Sequence, residues 1–82
     1  MTDPRKVIAL LKVLKEYKDA NLLETVLHDQ LNPLLPRPCS SVEFAETLGF
    51  CIDKGHAAYR VDEFGEKRWY ITTAGELFLL RS

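Results

Sequence analysis

Trp69-Tyr70-Ile71-Thr72-Thr73-Ala74-Gly75-Glu76-Leu77 changes its periodicity part-way along. Trp69 and Ile71 alternate against Arg68, Tyr70 and Thr72, as in a strand with one buried face. Thr72 or Thr73 then caps a short helix, Thr73 standing in capping-box spacing with Glu76, and that helix carries Leu77, Leu79 and Leu80. Upstream, Ala57, Tyr59 and Val61 alternate against Ala58, Arg60 and Asp62, and Glu63-Phe64-Gly65-Glu66 between the two runs reads as a turn with a glycine for positive φ. The pair predicts a β-hairpin. Its expected register sets Tyr59 opposite Ile71, Val61 opposite Trp69 and Glu63 opposite Lys67, so that apolar pairs share one face and a charge pair sits near the tip.

Everything before the hairpin reads as helix. Asp3 is a natural N-cap and Pro4 suits a first helical turn. Val7, Leu10, Leu11, Leu14 and Tyr17 then recur at helical spacing, which predicts a first helix from Pro4 to Lys18. Lys12, Lys15 and Lys18 read as a solvated polar face rather than a backbone-tracking stripe. Asn21 and Glu24 stand in capping-box spacing before Leu22, Leu23, Val26, Leu27 and Leu31, predicting a second helix over Leu22 to Leu31. Pro33, Pro36 and Pro38 forbid its continuation, and Leu34 and Leu35 give the resulting loop something to bury. Ser40 with Glu43 forms another capping box, after which Phe44, Ala45, Leu48, Cys51 and Ile52 share a face of a third helix. That helix stops either at Gly49 or at Asp53-Lys54-Gly55; the later end is preferred.

Composition bounds what such a chain does. Its 82 residues have room for one core, so residues 1–82 are expected to form a single domain. Eleven Lys and Arg against twelve Asp and Glu leave a net charge of −1, without the basic excess usual in nucleic-acid binders. The longest apolar run, Val7 to Leu11, is far short of a membrane span, and Met1-Thr2-Asp3-Pro4 carries no secretory cleavage pattern, so a cytoplasmic location with no membrane partner is expected. Cys39 and Cys51 lack metal-ligand spacing, and His28 and His56 read as surface imidazoles beside buried thiols; no disulfide, metal or cofactor is expected. Ser40 and Ser41 stand in a capping position with no histidine nearby in sequence, there is no glycine-rich phosphate loop, and the carboxylates are scattered, so no enzyme activity is expected.

Three helices, a hairpin and a short closing helix, in that order over residues 4 to 80, resemble the winged-helix variant of the helix-turn-helix domain. The stretch from Trp69 to Leu77 is similar to the ending of the wing in many bacterial winged-helix regulators, where an aromatic, an apolar residue two positions on, a Thr and a Gly lead into a helix. The resemblance implies an α+β fold and DNA as partner, with the third helix in the major groove and the wing on phosphates or the minor groove. Contact roles then fall to Thr47, Lys54, Arg60, Lys67 and Arg68. It further implies a regulator of transcription or replication acting by binding alone. A protein of this size has a small contact surface, so a dimer is expected if DNA is bound specifically, with the first helix or Phe78-Leu79-Leu80 as the contact.

Two features depart from that pattern: Glu43, Glu46 and Asp53 on the third helix, against a single Lys54, and the long proline loop from Pro33 to Cys39. They keep open a second reading, a winged-helix module that binds another protein and no nucleic acid. Phe64 and Tyr70, at the turn or facing away from the core, are the candidate surface for such a partner, whereas Trp69 belongs to the core.

Overall fold

The computed structural model describes residues 3–82, so Met1 and Thr2, part of the stretch read for a secretory pattern, lie outside it. Helix α1 (Pro4–Glu16) begins as expected, with the Asp3 carboxylate accepting the Arg5 backbone N–H at 2.9 Å. Val7, Leu10, Leu11, Val13 and Leu14 are buried along it, and this stripe is the centre of the core. The helix ends at Glu16, two residues before the sequence limit, and Lys18 beyond it reaches Glu76 at 2.8 Å.

The second helix does not start where the capping pattern placed it. Leu22–Leu23 is a short strand, β1, and α2 covers Glu24–Leu31 with no side-chain cap at Leu23. Asn21 adopts a left-handed conformation, φ 51°, which turns the chain out of the approach to α2 and into the sheet. Asn21 therefore serves a turn rather than a capping box. Leu27 and Leu31 are buried while Val26 is exposed. A single 3-10 turn, Asn32–Leu34, carries the chain through Pro33, and the Asn32 side-chain oxygen accepts the Cys39 backbone N–H at 3.1 Å, pinning the far end of the loop. Leu34 is 54% exposed, against the expectation that it would be buried.

Helix α3 (Ser41–Asp53) has the full reciprocal box: the Ser40 hydroxyl accepts the Glu43 backbone N–H and the Glu43 carboxylate accepts that of Ser40. It runs to the later of the two predicted ends, closed by the His56 N–H on the Cys51 carbonyl with Gly55 at φ 76°. Neither histidine is a free surface group. His28 stacks on Phe44 at 4.6 Å with Nε2 2.9 Å from the Cys39 carbonyl, and His56 stacks on Phe78 at 4.6 Å.

Strands β2 (Ala57–Val61) and β3 (Lys67–Ile71) form the hairpin, and the sheet order is β1-β3-β2, all antiparallel. Ala57 faces Ile71, Tyr59 faces Trp69 and Val61 faces Lys67; on the other edge of β3, Leu22 faces Trp69. The register differs by two residues from the sequence expectation, which leaves every side chain on its expected face. The cause is Asp62: its carboxylate accepts the Phe64 and Glu66 N–H groups, both at 2.9 Å, and its own N–H bonds the Glu66 carbonyl, so the loop begins at Asp62.

Helix α4 (Thr73–Leu80) is capped by Thr72, not Thr73: the Thr72 hydroxyl accepts the Gly75 N–H at 3.1 Å and donates to the Gly55 carbonyl at 2.6 Å. Gly75 is the point of closest approach. A Cβ there would overlap the His56 carbonyl oxygen and lie 2.8 Å from Ile71 Cγ1, so α4 can lie against the end of the hairpin only without a side chain.

Candidate nucleic-acid interface

The register divides the basic residues of the hairpin between its two faces. Arg60 and Arg68 are directly opposite one another, on the face that also carries Tyr70 and Leu23. Like charges in that position repel. Arg68 is relieved by Asp62, Nε to Oδ2 3.0 Å, and Arg60 lies over the Tyr70 ring at 5.4 Å from its centroid. The bond from the Glu66 N–H, followed by that from Arg68, holds the Asp62 carboxyl below its ordinary range, so it remains an anion beside Arg68. Lys67 stands on the opposite face, 4.8 Å from the centre of the Tyr59 ring, which is tilted against Trp69. Arg60, Lys67 and Arg68 are thus a facing pair plus one. Arg60 and Lys67 rest on aromatic rings and have no ion pair among the described residues, whereas Arg68 has a carboxylate partner.

Phe64, at the tip of the loop, is 80% exposed, while Tyr70 is half-buried beneath Arg60. The two residues set down as one partner surface are at different levels of the hairpin.

On α3 the buried stripe is Phe44, Thr47, Leu48 and Cys51. Thr47 is only 2% exposed and its hydroxyl donates to the Glu43 carbonyl at 2.8 Å, so the contact role that the resemblance gave it does not fit its position. Its place three residues after Phe44 and four before Cys51 was the signal for burial. Ala45, expected in the core, is exposed with Ser41, Val42 and Glu46 on the solvent side. Lys54 caps the C-terminal end, exposed, 5.6 Å over the Phe50 ring.

The acidity of α3 is also less than the sequence suggested. Lys6 of α1 donates to the Glu43 carboxylate at 2.6 Å; together with the Ser40 bonds this holds its pKa down at about 2. That negative charge is matched within the fold, leaving Glu46 and Asp53. Burial raises the pKa of Cys39 and pushes that of Cys51 up to about 12, which disfavours the thiolate at both. Among the described residues no group of three His, Cys, Asp or Glu could hold a metal ion.

An open helix face beside a two-stranded wing, on a body of three helices, is an architecture shared with a solved protein. The chain is similar to SSV1 F-93 as seen in its crystal structure, at a TM-score of 0.70 and 27% identity, over 99% of this chain and 87% of that one. The fold is a winged helix. No protein-family model matches the sequence, and no curated protein matches it. In winged-helix terms α3 occupies the position of the recognition helix and β2–β3 that of the wing; of the basic residues given contact roles by the resemblance, Arg60, Lys67 and Arg68 are on the wing and Lys54 is at the end of α3. Sequence reasoning passed over Arg5 of α1 and Arg37 of the proline loop, which lie around one recess with Glu43 at the start of α3. The loop's three prolines were a signal that it is held rather than slack, but nothing in them showed which helix it lies against.

Proposed function

We propose that the protein binds double-stranded DNA through the solvent face of α3 and the outer face of the wing, acting by binding alone as a regulator of transcription or replication. The observation that carries this reading is Arg60, exposed on the wing of a winged-helix fold and without an ion-pair partner. A cation so placed is available to a phosphate, while Arg68, tied to Asp62, contributes mainly by orientation. Ser41, Val42, Ala45 and Glu46 give α3 a narrow face suited to entering a major groove, where Glu46 can accept from cytosine N4 and the small apolar groups can meet thymine methyls. Two copies supply the contact area for specific binding, and α4, with Leu80 74% exposed and Leu77 half out in solvent, is the surface on which they meet.

A polarisation titration against duplex DNA over a range of salt tests the reading. Binding is expected at low salt. Arg60→Ala should weaken it on every sequence and lower the slope of log affinity against log salt by about 1. Arg60→Glu with Arg68→Glu should abolish it. Absence of binding to any duplex at low salt would overturn the proposal.

The exposure of Phe64 and the net charge of −1 favour a second reading, in which the same wing docks a protein. In that case Phe64→Ala and Tyr70→Ala weaken partner binding more than the charge reversals do.

A further inference from the structure

A groove runs beside the first half of α1, where the proline loop passes along the helix. It consists of two adjoining recesses of about 400 and 430 Å³, which share Arg5, Leu35 and Pro36 as their common wall. The larger is floored by Ile8, Ala9, Leu34 and Leu35, with Arg5 and Lys12 at its two ends; the smaller is bordered by Lys6, Arg37, Asp3 and Glu43. Arg5 and Lys12 are separated by two helical turns, about 10 Å along the axis.

Charge decides what this groove suits. Four cations border it against two carboxylates, and both carboxylates already have work inside the fold: Asp3 caps α1, and Glu43 caps α3 while binding Lys6. Arg5, its side chain 82% exposed, meets Asp3 only at 3.6 Å, and Lys12 and Arg37 have no ion pair among the described residues. Unmatched positive charge therefore surrounds a strip of exposed apolar surface that includes Leu34. A phosphate backbone would use the cations and leave the apolar floor wet. An amphipathic segment with carboxylates flanking aliphatic side chains would use both.

We propose that this groove docks an acidic, leucine-bearing peptide segment of a partner protein. Its aliphatic side chains lie on Ile8, Leu34 and Leu35, and its carboxylates meet Arg5, Lys12 and Arg37. The proposal does not depend on DNA binding, because it uses none of the wing residues.

The test is a titration of the full chain with a fluorescently labelled synthetic peptide that carries leucines at helical i, i+3, i+4 spacing and glutamates between them. Two controls accompany it, one with lysine in place of glutamate and one with serine in place of leucine. Binding of the acidic peptide alone is expected, with Arg5→Glu plus Arg37→Glu weakening it by about tenfold or more and Leu34→Ser also weakening it. Both sites are exposed, so the variants should fold, as circular dichroism would verify. Arg60→Ala should leave the affinity unchanged. Failure of the acidic peptide to bind, equal binding of either control, or equal loss with Arg60→Ala would overturn the proposal. So would sedimentation showing a dimer that Leu34→Ser dissociates, since the groove would then be covered by a second copy.

Discussion

The base and the tip of the hairpin are built on different principles, although the same two strands connect them. At the base, Trp69 and Ile71 are buried in the core, β3 is flanked by β1 and β2, and Gly75 brings α4 against the His56 carbonyl. At the tip, a single carboxylate, Asp62, gathers two backbone N–H groups and an arginine, and Phe64 stands in solvent. Apolar burial holds the first and directed hydrogen bonds hold the second. Stability and contact capacity are therefore separated along one hairpin, and substitutions should divide accordingly.

The sharpest way to break the comparison is at the base. Trp69→Ala should reduce unfolding free energy by about 4 kcal/mol, read from urea midpoints, through the lost burial and the cavity left behind. Gly75→Ala should lower it by about 3 kcal/mol, because the added methyl meets backbone at His56 rather than a side chain that can move aside. A loss below about 1 kcal/mol would mean that α4 can slide on the hairpin end.

At the tip the effects should be local. Asp62→Ala should speed amide hydrogen exchange at Phe64 and Glu66 while β3 amides keep their protection; simultaneous loss in both would show that base and tip are one unit. The body of the protein supplies a pH contrast. Glu43 is held at about 2 instead of 4.5, so its folded-state interactions add stability that is fully present above pH 4.5 and is lost as the pH falls toward 2. The difference in urea midpoint between the native chain and Glu43→Gln should shrink over that window; a difference independent of pH would show that Lys6 does not sense the charge. The smallest effect is expected at the extreme of the tip, where Phe64→Ser should change stability by less than about 0.5 kcal/mol while still altering binding if the wing contacts a partner.

The features legible in the sequence were those whose causes are local. The capping box at Ser40 and Glu43 and the burial of Trp69 and Ile71 each follow from a few neighbouring residues, and the order of elements they imply led to the winged-helix fold. What was not legible depends on distant partners. Nothing near Leu22 and Leu23 announces that Trp69 and Arg68 will pair with them, so the pattern there read as helix. The hairpin register turned on whether Asp62 belonged to the strand or to the loop, a choice its own carboxylate makes by capturing Glu66. In the candidate interface, alternation placed Arg60 and Arg68 correctly on one face, but it could not show that Asp62 would occupy only one of them, nor that Lys6 would reach Glu43 from another helix. Thr47 was misplaced for a different reason: the buried stripe of α3 passes through it, and its polarity masked its position.

The two residues of β1 also bear on how the chain reaches this structure. Joining Leu22 to Trp69 closes a loop that contains α2, the proline segment, α3 and β2, and the entropy of that closure must be met before the added ladder returns anything. Such non-local pairing slows folding and links distant parts of the chain into one cooperative event. Because β3, the central strand of the sheet, carries both the hairpin pairing and the long-range pairing to β1, its amides should open only with the whole domain.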